Sequence, residues 1–569
     1  MSNFFTDNAD LLFTLDNLEI QEAMSLIEKD YTEAQKYDTA PESFEDALDS
    51  FHRILDVIGD VAGERIAPRA RQVDEEGPKF ENGVVTYHPL TVQNLDDLKA
   101  AGVMGVILPR QYGGLNFPLS VYTMMTEMVS RADASLQNLF GLQDIADTIC
   151  EFGSEEQRQK YIPRFVTGEA DGSMDLTEPD SGSDLQSVRL KATQDADGKW
   201  YLDGMKRFIT NGCSQIHLVL ARSEEGTTDG RGLSMFICEK CPQLVVRRIE
   251  HKMGIHGVAT CELQFNHVPA ELCGMRKRGL IKYVMSLMNG ARVSISAQAV
   301  GIAEAAYREA RKYASEREQF KQSIDKFPAI YDMLARMKTQ LAASRALLYE
   351  TTRCVDLRQA YTHLAEGAEK PDPAVREKAK LYVALCDVLT PMSKALSTES
   401  ANKIAYDCIQ IHGGSGFMRD YTCERLYRDA RIMNIYEGTT QLQVVAAIRH
   451  VTTGTYLSQM QEYAQGQYSD EVAPLKARVD KMKEQYAQAV EKVKGFENPD
   501  YITFHARRLV EMAAWTIMSY LLCYDASKAS DLFLQSANAY VRYAEARLEA
   551  NLKFINDFTP DETSLYCQE

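Results

Sequence analysis

The spacing of apolar and polar positions along the 569-residue chain changes character three times. From about residue 41 to 165 the apolar residues recur three and four apart. Leu48, Phe51, Ile54, Leu55 and Ile58 fall on one face of a helix. From about 172 to 272 the period drops to two. "VRLKATQDADGKWYLDGMKRFITNG" alternates on both sides of "DADG", which predicts a hairpin. "IHLVLARS", "LSMFICEK", "LVVRRIE" and "CELQFNHV" follow as further short strands. From about 280 to 450 long helical patterns return. "AEGAEKPDPAVREK" reads as a helix–helix loop, with Pro371 and Pro373 ending one helix and starting the next.

The two ends carry weaker patterns. Residues 1–40 read as an acidic leader with a short apolar run, Leu11, Leu12, Phe13, Leu15 and Leu18. "TGTYLSQMQEYAQGQYSDEVAP", 453–474, reads as a linker. Beyond it Leu475, Val479, Met482, Tyr486, Val490 and Val493 form an amphipathic stripe, and two more helices follow to about Phe558. The predicted organisation is therefore a leader (1–40), an α-helical domain (41–170), a small β-domain (171–275), an α-helical bundle (276–452) and a helical module (453–569). The fold class is α+β.

Composition narrows the function classes. The net charge of -18 disfavours nucleic acid or an anionic membrane as a general partner. The longest apolar run, "LVEMAAWTIMSYLLCY", contains Glu511 and is shorter than the roughly 20 residues of a membrane span, so a buried helix is expected. The N-terminus has no basic or apolar segment of the signal-peptide type. The twelve cysteines are scattered. The closest pair, Cys238 and Cys241 in "CEKC", has no second pair and no suitable histidine spacing. Reduced thiols, a cytoplasmic protein and no metal site are the expectation.

Candidate chemistry is concentrated in a few short segments. "DLTEPDSGSDLQSV", 175–188, offers hydroxyls and bare backbone N–H groups at Thr177, Ser181, Gly182 and Ser183, suited to a phosphate or a polar ring edge, though such stretches are also ordinary turns. "RFITNG" places Phe208 and Thr210 at a strand end, where a ring could stack and a hydroxyl could bond its edge; a strand end with an Asn-Gly turn has the same look. "QIHGGSGF", 410–417, is a glycine-rich loop after a helix, able to cradle phosphate or to serve as a C-cap; its His412 has no metal-spaced partner. "IYEGTTQLQ", 435–443, isolates Glu437 between Tyr436 and Gly438. No GxGxxG follows a strand, and GxxxxGK[ST], HExxH and GxSxG are absent, which disfavours Rossmann, P-loop, zincin and α/β-hydrolase readings.

Taken in order, "TEPDSGSD", "RFITNG", "EREQF", "QIHGGSGF" and "IYEGTTQLQ" across a helix–strand–helix chain resemble the acyl-CoA dehydrogenase family over roughly 45–450. The extra C-terminal module looks like that of the larger bacterial members, such as the methylmercaptopropionyl-CoA dehydrogenase-like branch. The resemblance implies an N-terminal helical domain, a middle β-barrel or sandwich, a C-terminal four-helix bundle and the added module. It implies FAD as cofactor and α,β-dehydrogenation of an acyl-CoA in fatty acid β-oxidation.

Glu437 would then be the catalytic base, with a pKa raised by desolvation beside flavin and acyl chain. Thr177 would bond the flavin pyrimidine edge, Gly182 and Ser183 would lie near phosphates, Phe208 would stand where many relatives have tryptophan, and Thr210 would lie at N5. Arg317 and Phe320 would reach a neighbouring subunit's FAD, with Gln410, Gly413 and Gly414 on that same FAD. Thr439 and Gln441 would hold the adenosine part. Ser183, Asn289, Arg292, Tyr436 and Gly438 form the implied substrate-contacting set, Arg292 having a helix-end salt bridge as its alternative. Ala291 occupies the position where some members carry the base instead. Phe327-Pro328 departs from the family's usual His-Gln-type pair.

Shared FAD implies a homo-oligomer, dimer or tetramer, and the implied electron acceptor is electron-transfer flavoprotein. An acyl-CoA oxidase, an alkylation-response flavoprotein and a non-catalytic helical interaction protein are the rivals. The acyl group is not legible. Phe140, Leu142, Gln143 and Asp144 are candidate pocket-floor residues; the last two suggest a short or polar acyl group, a helix cap or a solvent-facing turn.

Overall fold

The computed structural model describes residues 2–367 and 369–567; Met1, Ala368 (in the predicted helix–helix loop), Gln568 and Glu569 lie outside the described residues. The chain divides into two compact units, Met1–Asn8 with Gln21–Gly301, and Ala9–Ile20 with Ile302–Glu569.

In the first unit, helices precede a barrel. The helix Phe44–Asp60 starts where the Ser43 hydroxyl accepts the Asp46 N–H at 3.3 Å. It buries Phe51, Leu55 and Ile58, with Leu48 and Ile54 half-buried on the flanks of that stripe. Ahead of it, Arg110 donates to both oxygens of the buried Glu28 at 2.6 and 2.9 Å, so part of the expected leader is built into this unit.

The β-domain is a seven-stranded sheet that closes on itself. Ile216–Arg222 pairs with Leu233–Glu239 on one side and meets Lys191–Gln194 on the other. The ring continues through Trp200–Thr210 and Thr260–Cys273. The predicted hairpin is present, with Gln194 opposite Trp200 across the "DADG" turn. Ile216 to Ala221 are all buried, for a reason of period two. Leu218 and Leu220 face a core shared with Ile145, Ile149, Ile162 and Phe165 of the helices. Val219 and Ala221 face the barrel interior with Leu202, Phe236 and Leu263.

The second unit is helical. Pro328–Glu366 and Pro373–His412 are its long members, 39 and 40 residues, joined by a short loop and packed on each other. Thr422–Ala430 and Thr440–Thr452 pack on Pro373–His412, and the module helices Ala473–Gly495, Pro499–Lys528 and Ser530–Asp557 pack together. The expected linker differs from the structure. Thr455–Ala464 is a helix with Tyr456 and Met460 buried, and the Tyr456 hydroxyl donates to the Val388 carbonyl at 2.9 Å. Tyr456, Met460 and Tyr463 do lie on one helical face, but the surrounding Gly, Thr, Ser and Gln residues give the stretch a loop composition. The helix Ala9–Asn17 also belongs here. It buries Leu11 and Leu15, and Asp10 pairs with Arg345 at 3.2 Å.

Candidate active site

In the first unit, "TEPDSGSD" is tied to the strand that carries "RFITNG". The Thr177 carbonyl accepts the Arg207 N–H at 2.9 Å. Beneath it the fully buried Lys206 donates to Glu178 at 3.0 Å and to the Leu176 carbonyl at 2.8 Å. Glu178 also accepts the N–H groups of Arg189 and Leu190 at 2.8 and 2.9 Å. Burial lowers the Lys206 pKa, and Glu178 opposes that shift. This clamp leaves Gly182 and Ser183 exposed at the surface and Thr177 half-buried.

Phe208 has a φ of 62° within a strand, inside the shift of register between Lys206 and Ile209, and is 51% exposed. Left-handed backbone costs a bulky residue about 1–2 kcal/mol. The bulge turns the ring outward, under the Arg207 guanidinium at 4.6 Å. Thr210 ends the strand half-buried, opposite Thr260. The following Asn211 donates to Asp171 at 2.9 Å and accepts from the Tyr87 hydroxyl at 2.7 Å, which fixes the turn.

In the helix Met285–Glu316, Arg292 donates to Asn289 at 3.1 Å. Arg292 stands two turns inside this helix, so the helix-end alternative does not describe it. Of the pocket-floor candidates, Phe140 is buried and Leu142 half-buried. Gln143 donates to the carbonyls of Val103 and Phe140 at 3.3 and 3.2 Å, a backbone-bracing role, and Asp144 accepts from Ser294 at 3.3 Å.

In the second unit, Glu437 sits half-buried in a turn with two consecutive left-handed residues, φ 53° at Glu437 and 89° at Gly438. The turn is braced from three sides. The buried Lys394 donates to the Gly438 carbonyl at 2.6 Å, and Gln443 donates to the Glu437 and Gly438 carbonyls at 3.2 and 3.0 Å. Glu399 accepts from the Thr440 hydroxyl at 2.7 Å and from Asn434 at 3.3 Å. Thr439 caps the helix Thr440–Thr452, accepting the Leu442 N–H at 3.3 Å; Tyr436 is half-buried and Gln441 exposed. Lys394 and Gln443 were not found from sequence. Gln443 lies one helical turn past Thr439, a usable signal, whereas nothing local marks Lys394.

Tyr313 ties together the two segments that carry the remaining candidates of this unit. Its ring stacks on His412 at 4.1 Å, and its carbonyl accepts the Arg317 N–H at 2.8 Å. Beyond the exposed Arg317, Glu318–Gln319 pairs with Gln322–Ser323, and Phe320 and Lys321 form the tip with φ of 49° and 68°. Phe320 is 89% exposed, and Phe327, the departure from the family pattern, meets its ring edge at 6.1 Å. Gln410, Gly413 and Gly414 are exposed, and a side chain at either glycine would meet nothing within 4 Å.

Two clusters were missed. Contrary to the expectation for His412, Cys408 and Cys423 bring their ligand atoms within 4.8 Å of it and of each other, all three buried. The Cys408–His412 spacing of four was the available signal. His412 Nδ1 donates to the Cys408 carbonyl at 2.8 Å. In the β-domain, buried His217 meets Ser173 and Asp175 at 2.8 and 2.9 Å, but both through Nδ1. A nucleophilic triad uses the two ring nitrogens separately, so this is a packing network.

Models described as the acyl-CoA dehydrogenase N-terminal domain, middle domain, C-terminal domain and C terminal match residues 49–169, 173–268, 278–452 and 452–563. An acyl-CoA dehydrogenase of Bacillus subtilis is 35% identical over 407 residues, 70% of this chain and 97% of its own length. The chain belongs to the acyl-CoA dehydrogenase family. A 3-methylmercaptopropionyl-CoA dehydrogenase of Ruegeria pomeroyi is 33% identical over 426 residues, 70% of this chain and 69% of its length. A solved acyl-CoA dehydrogenase of Bacillus anthracis has the same fold over 91% of this chain and 90% of its own, at TM-score 0.74 and 24% identity.

This acyl-CoA dehydrogenase family member is an FAD-dependent oxidoreductase. Each unit by itself has features compatible with such a cofactor: in the first, the ring of Phe208 is turned outward with a free face, and in the second, the backbone at Gly413 and Gly414 is open and Arg317 is exposed.

Proposed function

We propose that the protein dehydrogenates an acyl-CoA thioester to the trans-2-enoyl-CoA, with Glu437 removing the α-proton, and passes the electrons to electron-transfer flavoprotein. Bound FAD supplies the hydride acceptor. The observation that carries the reading is the turn at Glu437: a single acid in left-handed backbone, whose own and next carbonyls are engaged by Gln443 and Lys394. Those bonds hold the main chain that carries the Glu437 carboxylate, the group that accepts the proton in this reading. Gly438 leaves the far side of the turn without a side chain, so a thioester can approach the backbone.

Asn289, Arg292, Ser183 and Tyr436 serve CoA and acyl contacts in this reading. Thr177, Gly182, Ser183, Phe208, Thr210, Thr439 and Gln441 serve FAD. Arg317, Phe320, Gln410, Gly413 and Gly414 serve the FAD of a neighbouring copy, which makes the protein a homo-oligomer. Among the described residues no helix is long and apolar enough to cross a membrane. All twelve cysteines are free, which supports a reducing compartment, the cytoplasm.

The test is anaerobic bleaching of the flavin by a panel of acyl-CoAs. Glu437→Gln is expected to keep FAD and bind acyl-CoA while flavin reduction slows by about three or more orders of magnitude. Near-normal reduction in that variant would place the base elsewhere. Oxygen uptake during turnover would replace the dehydrogenase reading with an oxidase.

A further inference from the structure

The second unit contains a cavity of about 330 Å³ that the proposed chemistry does not use. Its walls come from the helix Ala9–Asn17 and the residues just after it, from Pro328–Glu366, from residues 459–468, and from Pro499–Lys528 and Ser530–Asp557. Several of the lining residues are aromatic, among them Phe13, Tyr349, Tyr463, Tyr468, Tyr524 and Phe533.

Five carboxylates line it, Asp10, Glu19, Glu350, Glu462 and Asp525, against two guanidinium groups, Arg345 and Arg353. Both cations are engaged. Arg345 pairs with Glu304 at 2.7 Å and with Asp10 at 3.2 Å. Arg353 donates to both oxygens of Glu350 at 2.8 and 2.9 Å, and the Tyr463 hydroxyl adds a third bond to Glu350 at 2.8 Å. Glu19 is held by Lys528 at 3.1 Å and by the Tyr524 hydroxyl.

Asp525 differs from these acids. Its carboxylate has no hydrogen bond and no ion pair among the described residues, although the group lines the cavity. Burial pushes its pKa up to about 7, Lys528 works against that shift, and Asp10 and Glu350 add to it. A carboxylate in an aromatic chamber is costly without a cation. An acyl chain there would leave it uncompensated, and an anion would be repelled by it.

We propose that this cavity is a second small-molecule site, for an organic cation with an apolar body, with Asp525 as its counter-ion and the tyrosine and phenylalanine faces as its walls. Cation–π attraction and a desolvated ion pair then act on the same ligand. The site lies wholly within one unit, and it stands or falls independently of the role of Glu437.

Calorimetric titration of the full-chain holoenzyme with 2-phenylethylammonium, and with neutral 2-phenylethanol of matched shape, tests it. At about pH 8 we expect one cation per chain and affinity at least ~10-fold weaker for the alcohol. The Asp525→Asn variant is expected to lose at least ~10-fold for the cation and little for the alcohol. A wild-type series needs no variant: affinity for the cation is expected to drop about tenfold from about pH 8 to about pH 6 as Asp525 takes up a proton. Asp10, Glu19, Glu350, Glu462, Arg345 and Arg353 line the same space, and Lys528 pairs with Glu19 at its wall. A drop that persists in Asp525→Asn would belong to one of them and overturn the assignment. Equal affinity for amine and alcohol, or no cation binding at millimolar concentration, would overturn the site.

Discussion

Phe208 in the first unit and Glu437 in the second each hold a backbone conformation that their side chains disfavour. Left-handed residues persist where surrounding bonds over-determine them, and both positions have such bonds. Phe208 is held by the clamp below it, and its ring makes little of the fold's own packing. Phe208→Ala is therefore expected to raise the Kd for FAD about tenfold, read by flavin fluorescence release, with the melting temperature nearly unchanged. Lys206 is the opposite case, since its removal leaves Glu178 buried with its charge uncompensated. Lys206→Met is expected to destabilise by about 3–5 kcal/mol in urea unfolding; a loss under about 1 kcal/mol would show that the clamp is dispensable. The sequence marks Phe208 and Glu437 through the motifs around them. It carries no sign of their φ angles, because those angles are set by partners far along the chain such as Lys394.

At the scale of elements, legibility followed how much local chemistry each one contains. The "DADG" hairpin has its turn residues and its alternation in one stretch, and both are realised. The helix Thr455–Ala464 has a buried face but little helical composition, and packing decides it. The module helix Pro499–Lys528 contains a residue with a measurable consequence. His505 is fully buried, with neither ring nitrogen hydrogen-bonded, among Tyr501, Phe504, Phe554 and Phe558. Burial pulls its pKa down to about 4, and Arg508 and Lys492 add to the shift. Its folded value is below the unfolded value of about 6.5, so the unfolded chain binds the extra proton first. Its stabilising contribution is complete above about pH 6.5 and is lost as pH falls toward 4, by roughly 2 kcal/mol. Unfolding midpoints at about pH 7 and 4.5 should differ less in His505→Phe than in the wild type.

At the scale of the whole molecule, the proposed homo-oligomer makes the exposed tip at Phe320 a contact to test. A phenylalanine 89% exposed on a hairpin, with Phe417 78% exposed after the glycine-rich loop, is apolar surface that a subunit contact would cover. Phe320→Asp is expected to shift the mass in light scattering toward a smaller species and to lower FAD occupancy together; loss of neither would remove this tip from the interface. By itself the sequence determined the order of helical and strand regions and the short motifs, because period, turn residues and local spacing are properties of neighbours in the chain. Only the tertiary structure decided which side chains brace the Glu437 turn, that Cys408, His412 and Cys423 converge, and that Asp525 faces an aromatic chamber without a partner. Those depend on contacts between residues tens to hundreds of positions apart, which no local pattern encodes.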